Sequence, residues 1–219
     1  MKLSTNFRSL VSAFLIASVL PMIAACSGSD QGNSERRVIA ENFSELVSTA
    51  LGDPNLQEFD REVLERAERT GRIEQADYDE AYSRFAQCME TSGEPVNLTK
   101  LSNGLYRVEN APLSDGETIE SAMSTVTTCS EGTISRLGEL YSIQQGNPEL
   151  LANPYEIAYK CLESKGLVDS DLPLEEFQKA FRSEGDGESS LEERMPFDPY
   201  GDEAQACFAG ANMSIGKAS

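Results

Sequence analysis

Four cysteines, Cys88, Cys129, Cys161 and Cys207, follow a fifth at Cys26, and the chain contains no histidine. The groups left for chemistry are thiols, carboxylates, hydroxyls and amines. Without histidine there is no Ser-His-Asp or Cys-His arrangement, and the commonest general base is missing. No cysteine stands in a C-x-x-C pair, so neither a thioredoxin-like motif nor a zinc site has support. Four cysteines beyond Cys26 read as two disulfides formed in an oxidising compartment, and spacing alone leaves three pairings open. Ser214-Ile215-Gly216-Lys217 fits S-x-x-K, but two fixed positions are met by chance in a chain of this length, and chain ends fray. Asp169-Ser170-Asp171-Leu172-Pro173 begins a calcium loop and then loses the third ligand and the glycine. The 37 acidic residues make some pair of carboxylates inevitable. A glycosidase needs such a pair, yet abundance deprives the signal of weight. No catalytic residue, metal or cofactor is expected.

The formal charge is -19. Nucleic-acid binding by counterion release and attraction to anionic headgroups both need clustered Lys and Arg, which this chain does not offer. Its acidity reads as a solvated surface that keeps the protein soluble.

The amino terminus has another character. Lys2 and Arg8 precede an apolar run from Leu10 to Ala25, broken by Ser12, Ser18 and Pro21, and the next charge is Asp30. As a helix the run would reach about 24 Å, short of a hydrocarbon core of roughly 30 Å. A charged start, a short apolar stretch and small residues at its end describe a secretory signal. The tetrapeptide Ile23-Ala24-Ala25-Cys26 resembles the lipobox of bacterial lipoproteins: a branched aliphatic, two small residues, then cysteine. The resemblance implies that Cys26 receives a diacylglyceryl group, that cleavage before it removes residues 1–25, and that the protein is held on the outer face of the cell membrane. Two acyl chains suffice for stable anchoring where one does not. Residues 26–35, with Ser27-Gly28-Ser29-Asp30-Gln31-Gly32-Asn33-Ser34 at their centre, have the composition of a flexible tether.

The cysteines sit in a faint internal repeat. Aligning Cys88 with Cys161 places Tyr82 over Tyr155, Met89 over Leu162, Glu90 over Glu163, Thr91 over Ser164 and Gly93 over Gly166. Cys129 and Cys207 are each followed three residues later by glycine, Gly132 and Gly210. One two-cysteine unit used twice would close its bridge within each copy, which favours Cys88 with Cys129 and Cys161 with Cys207.

The elements that must position these cysteines are mostly helices. Leu56, Phe59, Val63, Leu64 and Ala67 recur at helical spacing between Asp53-Pro54, a cap with a first-turn proline, and Gly71. Tyr78, Ala81, Tyr82, Phe85, Cys88 and Met89 share one stripe ending at Gly93. A third helix is expected to open at Ser114 with Glu117 as a capping box and to turn Ile119, Met123, Val126 and Cys129 inward. Gly132 should end or kink it before Ile134, Leu137, Leu140 and Tyr141. Asn147-Pro148 and Asn153-Pro154 look like helix starts. Leu174, Phe177, Ala180 and Phe181 mark a short helix, and Asp202-Glu203-Ala204-Gln205-Ala206 leads into the last. Between Pro95 and Asn110 the pattern alternates on either side of Ser102-Asn103-Gly104, a hairpin signal, and Glu184–Glu193 reads as an acidic loop. The expected fold is mainly α (α+β): a single helical domain over 36–219 with one β-hairpin, stabilised by two disulfides.

Two functions from different classes follow. The first is a membrane-anchored, non-catalytic module that binds a ligand or an envelope protein, or scaffolds a complex; no nucleic-acid partner is expected. The alternative is a carboxylate-dependent hydrolase of cell-wall or exogenous glycans. Tyr78, Tyr82, Tyr106, Tyr141, Tyr155 and Tyr159 could face a sugar, but the helical stripes and matched repeat positions assign most of them to the core.

Overall fold

The computed structural model describes residues 37–110, 112, 118–182 and 190–216. The expected signal peptide at 1–25, lipidated Cys26 with its tether, the Ser114–Glu117 capping box and residues 184–189 of the acidic loop lie outside them. Among the described residues the order is α1 (Phe43–Leu51), α2 (Glu58–Thr70), α3 (Gln75–Thr91), β1 (Val96–Lys100), β2 (Tyr106–Asn110), α4 (Ile119–Ser130), α5 (Ser135–Gly146), α6 (Pro154–Ser164), α7 (Leu174–Lys179), α8 (Leu191–Arg194) and α9 (Asp202–Gly210). The fold is mainly helical with one antiparallel hairpin.

Both disulfides close within a repeat. Cys88 joins Cys129 with alpha carbons 5.6 Å apart, and Cys161 joins Cys207 at 5.4 Å. The matched glycines explain why α3 and α6 stop where they do. Gly93 and Gly166 have φ of 85° and 68°, a left-handed conformation that glycine enters without steric cost. Past each of them the chain closes with the same long-loop bond, Glu94 N–H to Met89 C=O and Leu167 N–H to Leu162 C=O, both 2.9 Å, which satisfies carbonyls that a helix end leaves open. The other glycine match is not structural. Gly132 is left-handed, with φ 77°, whereas Gly210 lies inside α9. The residue that plays the closing role after Cys207 is Asn212, φ 55°, with Met213 N–H bonded to Phe208 C=O at 2.8 Å.

The first core cluster gathers Val47, Val63, Leu64, Tyr78, Leu137 and Tyr141 from α1, α2, α3 and α5 with Ile73 of the α2–α3 connection and Leu101 and Leu105 of the hairpin turn. A second gathers Ala158, Leu162, Phe177 and Phe208 from α6, α7 and α9. A third surrounds the first disulfide with Phe85 and Met89. Helix α9 links the first two, because Ala206 belongs to one and Cys207 and Phe208 to the other. At Gly146 it meets α5 backbone to backbone: a Cβ there would overlap the Cα and carbonyl of Gly210.

Several boundaries differ from expectation. Helix α2 begins at Glu58 rather than Pro54, because the Asp53 carboxylate accepts the Asn55 N–H at 2.9 Å and closes a turn. Asn147 ends α5 instead of starting a helix; its buried side chain exchanges two bonds with the Leu151 backbone, at 2.8 and 2.9 Å. Asn153 does cap α6, accepting the Tyr155 N–H. Ser190 forms a capping box with Glu193 and opens α8 where a loop was expected. Helix α1 was not foreseen, although Asn42 caps it by accepting the Glu45 N–H at 3.0 Å. Thr118 caps α4 through the Ser121 N–H. Ile119 and Met123, expected inward, are 67% and 65% exposed, since α4 is fastened to α3 through Cys129 at its opposite end.

Two outcomes are expected. Gly146→Ala should destabilise the protein by about 1–3 kcal/mol through overpacking against Gly210, measured as a lower urea midpoint; an unchanged midpoint would show that α5 and α9 can separate freely. Replacing Cys88 and Cys129 together by alanine should cost about 4 kcal/mol on the loop-entropy estimate, and non-reducing peptide mapping of the parent should join Cys161 only to Cys207.

Candidate functional site

A cleft of about 540 Å³ lies between β2 and α5. Its floor is aromatic because α3 presents Tyr78 and Tyr82 one turn apart and β2 adds Tyr106. Tyr78 is fully buried, stacked at 4.2 Å on Tyr141 of α5 and tilted at 4.7 Å against Tyr82. Tyr82 in turn meets Tyr106 at 4.9 Å. Each such pair adds about 0.5–1.5 kcal/mol beyond area burial, so this floor is preformed. Burial raises the titration of Tyr78, Tyr82, Tyr106 and Tyr141 above the ordinary phenol range. They remain neutral donors and acceptors at any physiological pH.

The hairpin is docked onto α3 by polar contacts beneath this floor. Gln75 accepts the Tyr141 hydroxyl at 2.8 Å, and its amide donates to Asp79 at 2.8 Å and to the Gly104 carbonyl at 3.1 Å. Lys100 reaches the same Asp79 carboxylate at 2.8 and 2.9 Å and passes 5.4 Å from the Tyr106 ring centre. Partial burial pushes the Asp79 titration up, but hydrogen bonds from Lys100 and Gln75 outweigh it and hold the carboxylate below its usual range. At the turn, Asn103 donates to the Ala206 carbonyl of α9 at 2.7 Å.

Ile134, Gly138 and Ser142 follow one another at helical spacing along the α5 wall. The third side is the segment Asn212–Ile215, held by Gln205, whose amide donates to the Ile215 carbonyl at 3.1 Å and to that of Pro199 at 2.8 Å. The rim is mostly uncharged, with Ser130, Ser135 and Ser142; its two charges are Arg107, paired with Glu109 at 3.1 Å, and Glu139, 3.6 Å from Arg136. Ser214 of the S-x-x-K match lines the cleft, and Lys217 lies outside the described residues. The helical stripes and repeat positions assign Tyr78, Tyr82, Tyr141 and Tyr155 to the core; Tyr82 is only half-buried and doubles as cleft floor, together with Tyr106 of the hairpin, also half-buried. Tyr155 and Tyr159 pack in the second cluster instead. Nothing in the sequence pattern marked Gly138 and Asn212 as parts of one site.

A second cleft of about 420 Å³ runs beside the Cys161–Cys207 bridge and includes Lys160, Lys165 and Glu149. A third, about 330 Å³, includes Glu41 and Glu149. No family model, characterised protein or solved structure matches the chain.

One carboxylate is unusual. Asp60 is 3% exposed, and its Oδ1 has no hydrogen-bond partner among the described residues. Burial drives its titration up to about 6 against the attraction of Arg136 and Arg84. It lines none of the three clefts. Since its folded value lies above the unfolded value of 3.8, the folded state binds the proton more tightly. The resulting stabilisation is complete below about pH 3.8 and is lost as pH rises through about 6. Asp60→Asn should therefore raise stability at pH 7.5 by roughly 1–3 kcal/mol and flatten the stability profile between pH 4 and 7. Urea melts across that range test it; an asparagine variant less stable than the parent at pH 7.5 would mean that the charged form is satisfied after all.

Proposed function

We propose that this chain is an extracytoplasmic lipoprotein, anchored through Cys26, whose helical domain is a non-catalytic binding module that receives its ligand in the cleft between β2 and α5. The observation that carries the binding reading is the preformed aromatic floor, walled by hydroxyl and amide groups and by a single carboxylate, Glu139. Specific pockets combine apolar surface with a few convergent polar groups in this way. Two disulfides fit an oxidising compartment. Among the described residues no helix is long and apolar enough to cross a membrane, so attachment would rest on the amino-terminal segment.

Glycan hydrolysis would require two carboxylates facing each other across the substrate, about 5 to 10 Å apart, one of them protonated at working pH. The two larger clefts hold one carboxylate each, and the exposed Glu41 and Glu149 of the third are not desolvated. Asp60 has the raised titration of a general acid, but the charges that act on it are guanidinium groups and not a second carboxylate.

Cys26→Ala should release the protein into the medium or leave it uncleaved, with the disulfide-bonded domain unchanged. Fractionation of intact cells and mass spectrometry of the membrane-extracted parent provide the check. An unmodified Cys26, or an intact Met1, would defeat the anchoring.

A further inference from the structure

The hairpin has an edge that its own partner strand does not use. Leu101 N–H donates to the Leu105 carbonyl at 2.8 Å, and Gly104 N–H to the Leu101 carbonyl at 3.0 Å. The 101/105 pair is thus hydrogen-bonded, and along an antiparallel ladder bonded and non-bonded pairs alternate. Lys100 stands opposite Tyr106, Thr99 opposite Arg107 and Leu98 opposite Val108. It follows that Arg107 and Glu109 turn their N–H and C=O groups toward β1, while Tyr106 and Val108 turn theirs away.

The structure shows where the outward groups point. Tyr106 N–H meets the Tyr78 hydroxyl at 3.1 Å, and Tyr78, Tyr106 and Val108 all line the large cleft. Val108 N–H, two residues further along the same edge, faces the same way, and no described residue accepts it. Among the described residues the sheet has these two strands. An unpaired edge is a template for another extended chain, and proteins ordinarily blunt or cover it; this one is sheltered inside a cleft. Across from it stands Gly138. A Cβ there would make only ordinary contacts, 3.6 Å to the Tyr82 hydroxyl and 3.7 Å to Ile134. Alanine would also suit the helix better, so the packing does not call for glycine, and the space it leaves opens on the cleft.

We propose that the cleft binds an extended peptide segment, which adds as a third strand to the open edge of β2. Its main chain bonds the Val108 N–H and C=O and the Tyr106 C=O, and a side chain occupies the space over Gly138. This is recognition by strand addition, in which main-chain bonds supply affinity and side-chain pockets supply selectivity. The rim itself is balanced, Arg107 against Glu139, so the preference for a basic segment comes from the long-range field of a chain of formal charge -19. A five-residue edge spans about 17 Å, which sets the recognised length near five residues. The inference rests on the binding-module reading above and names the class of its ligand.

The test uses the full lipoprotein in nanodiscs, a phage-displayed library of random linear decapeptides, and a glycan array with soluble peptidoglycan fragments in parallel. Selected peptides, measured by fluorescence anisotropy, should be basic, bind more weakly as salt rises, and slow hydrogen exchange at the Val108 amide. Val108→Pro removes the outward N–H at a position that β1 does not use, where an edge strand tolerates proline. Gly138→Leu fills the space on the opposite wall. Each should weaken peptide binding at least tenfold with the disulfides and thermal melt retained. Should Val108→Pro fail to fold, Gly138→Leu decides alone. Peptide binding that survives Gly138→Leu, or leaves the Val108 amide unprotected, overturns the proposal. Glycan binding that Gly138→Leu abolishes, with no peptide selected, overturns it and leaves the binding-module reading standing. Silence from both libraries removes both.

Discussion

The arrangement of this protein depends on letting one backbone touch another. Helix α9 is made mostly of small residues, and Ala204, Gln205, Ala206, Cys207, Phe208 and Gly210 are all buried. Alanine and glycine bury little apolar area, so apart from Phe208, which anchors it in the second core, this helix gains its place through close approach. Gly146 against Gly210 is that approach. Once α9 lies this close to α5, its polar groups need partners from outside the helix, since an unmet buried carbonyl costs about 1–3 kcal/mol. The hairpin turn supplies one through Asn103 to Ala206, and α5 supplies another through Ser142 to Ala209. The Cys161–Cys207 bridge then ties α9 to α6. One crossing thus aligns the hairpin, α5 and the carboxy-terminal segment, and these are the walls of the cleft.

Charge plays a different part. Most of the ion pairs between described residues join exposed partners, as in Arg72–Glu74 or Lys179–Glu176, and such pairs contribute little in water. A solvated acidic surface of this kind bears on solubility more than on folding. Asp60 is the exception, buried without a bond to its Oδ1 while Arg136 engages Asp53 and Arg84 lies over Phe59 and pairs with Glu80. The two guanidiniums nearest in effect are committed elsewhere, which leaves the carboxyl to be stabilised by protonation.

Much of the fold was legible in the sequence because it was written in local periodicity. The α3 stripe from Tyr78 to Met89, the Ser102-Asn103-Gly104 hairpin and the Asn153-Pro154 start of α6 each combine a periodic run with a specific stop or cap. The errors fall where a local signal had two outcomes. Asn147-Pro148 could cap a helix or terminate one, and the bonds to Leu151 that decide it come from a turn with Leu150 at φ 52°. Ile119 and Met123 have helical spacing, but which side of α4 faces the core is fixed by the Cys88 tether at its far end. The cleft was invisible for a different reason. Gly138, Val108, Tyr82 and Asn212 come from separate elements, and no pattern within any one of them says that they meet.

The repeat shows how far local similarity can be trusted. What the two units share is a way of ending a helix just after a cysteine: five residues on, a left-handed residue closes the chain at Gly93, at Gly166 and, beyond the notional repeat, at Asn212. The device reverses the chain within one turn of the bridge, so the half-cystine stays on the buried face while the next segment leaves at a fixed angle. Among the described residues the contents of the two spans differ. The first spans a hairpin and the exposed α4; the second spans α7 and α8. A shared closure with unlike contents means that the bridge geometry constrains only the helix pair it joins and leaves the intervening chain free to differ. In the first unit that intervening chain includes β2, whose open edge forms a cleft wall only because α9, from the second unit, holds the turn in place.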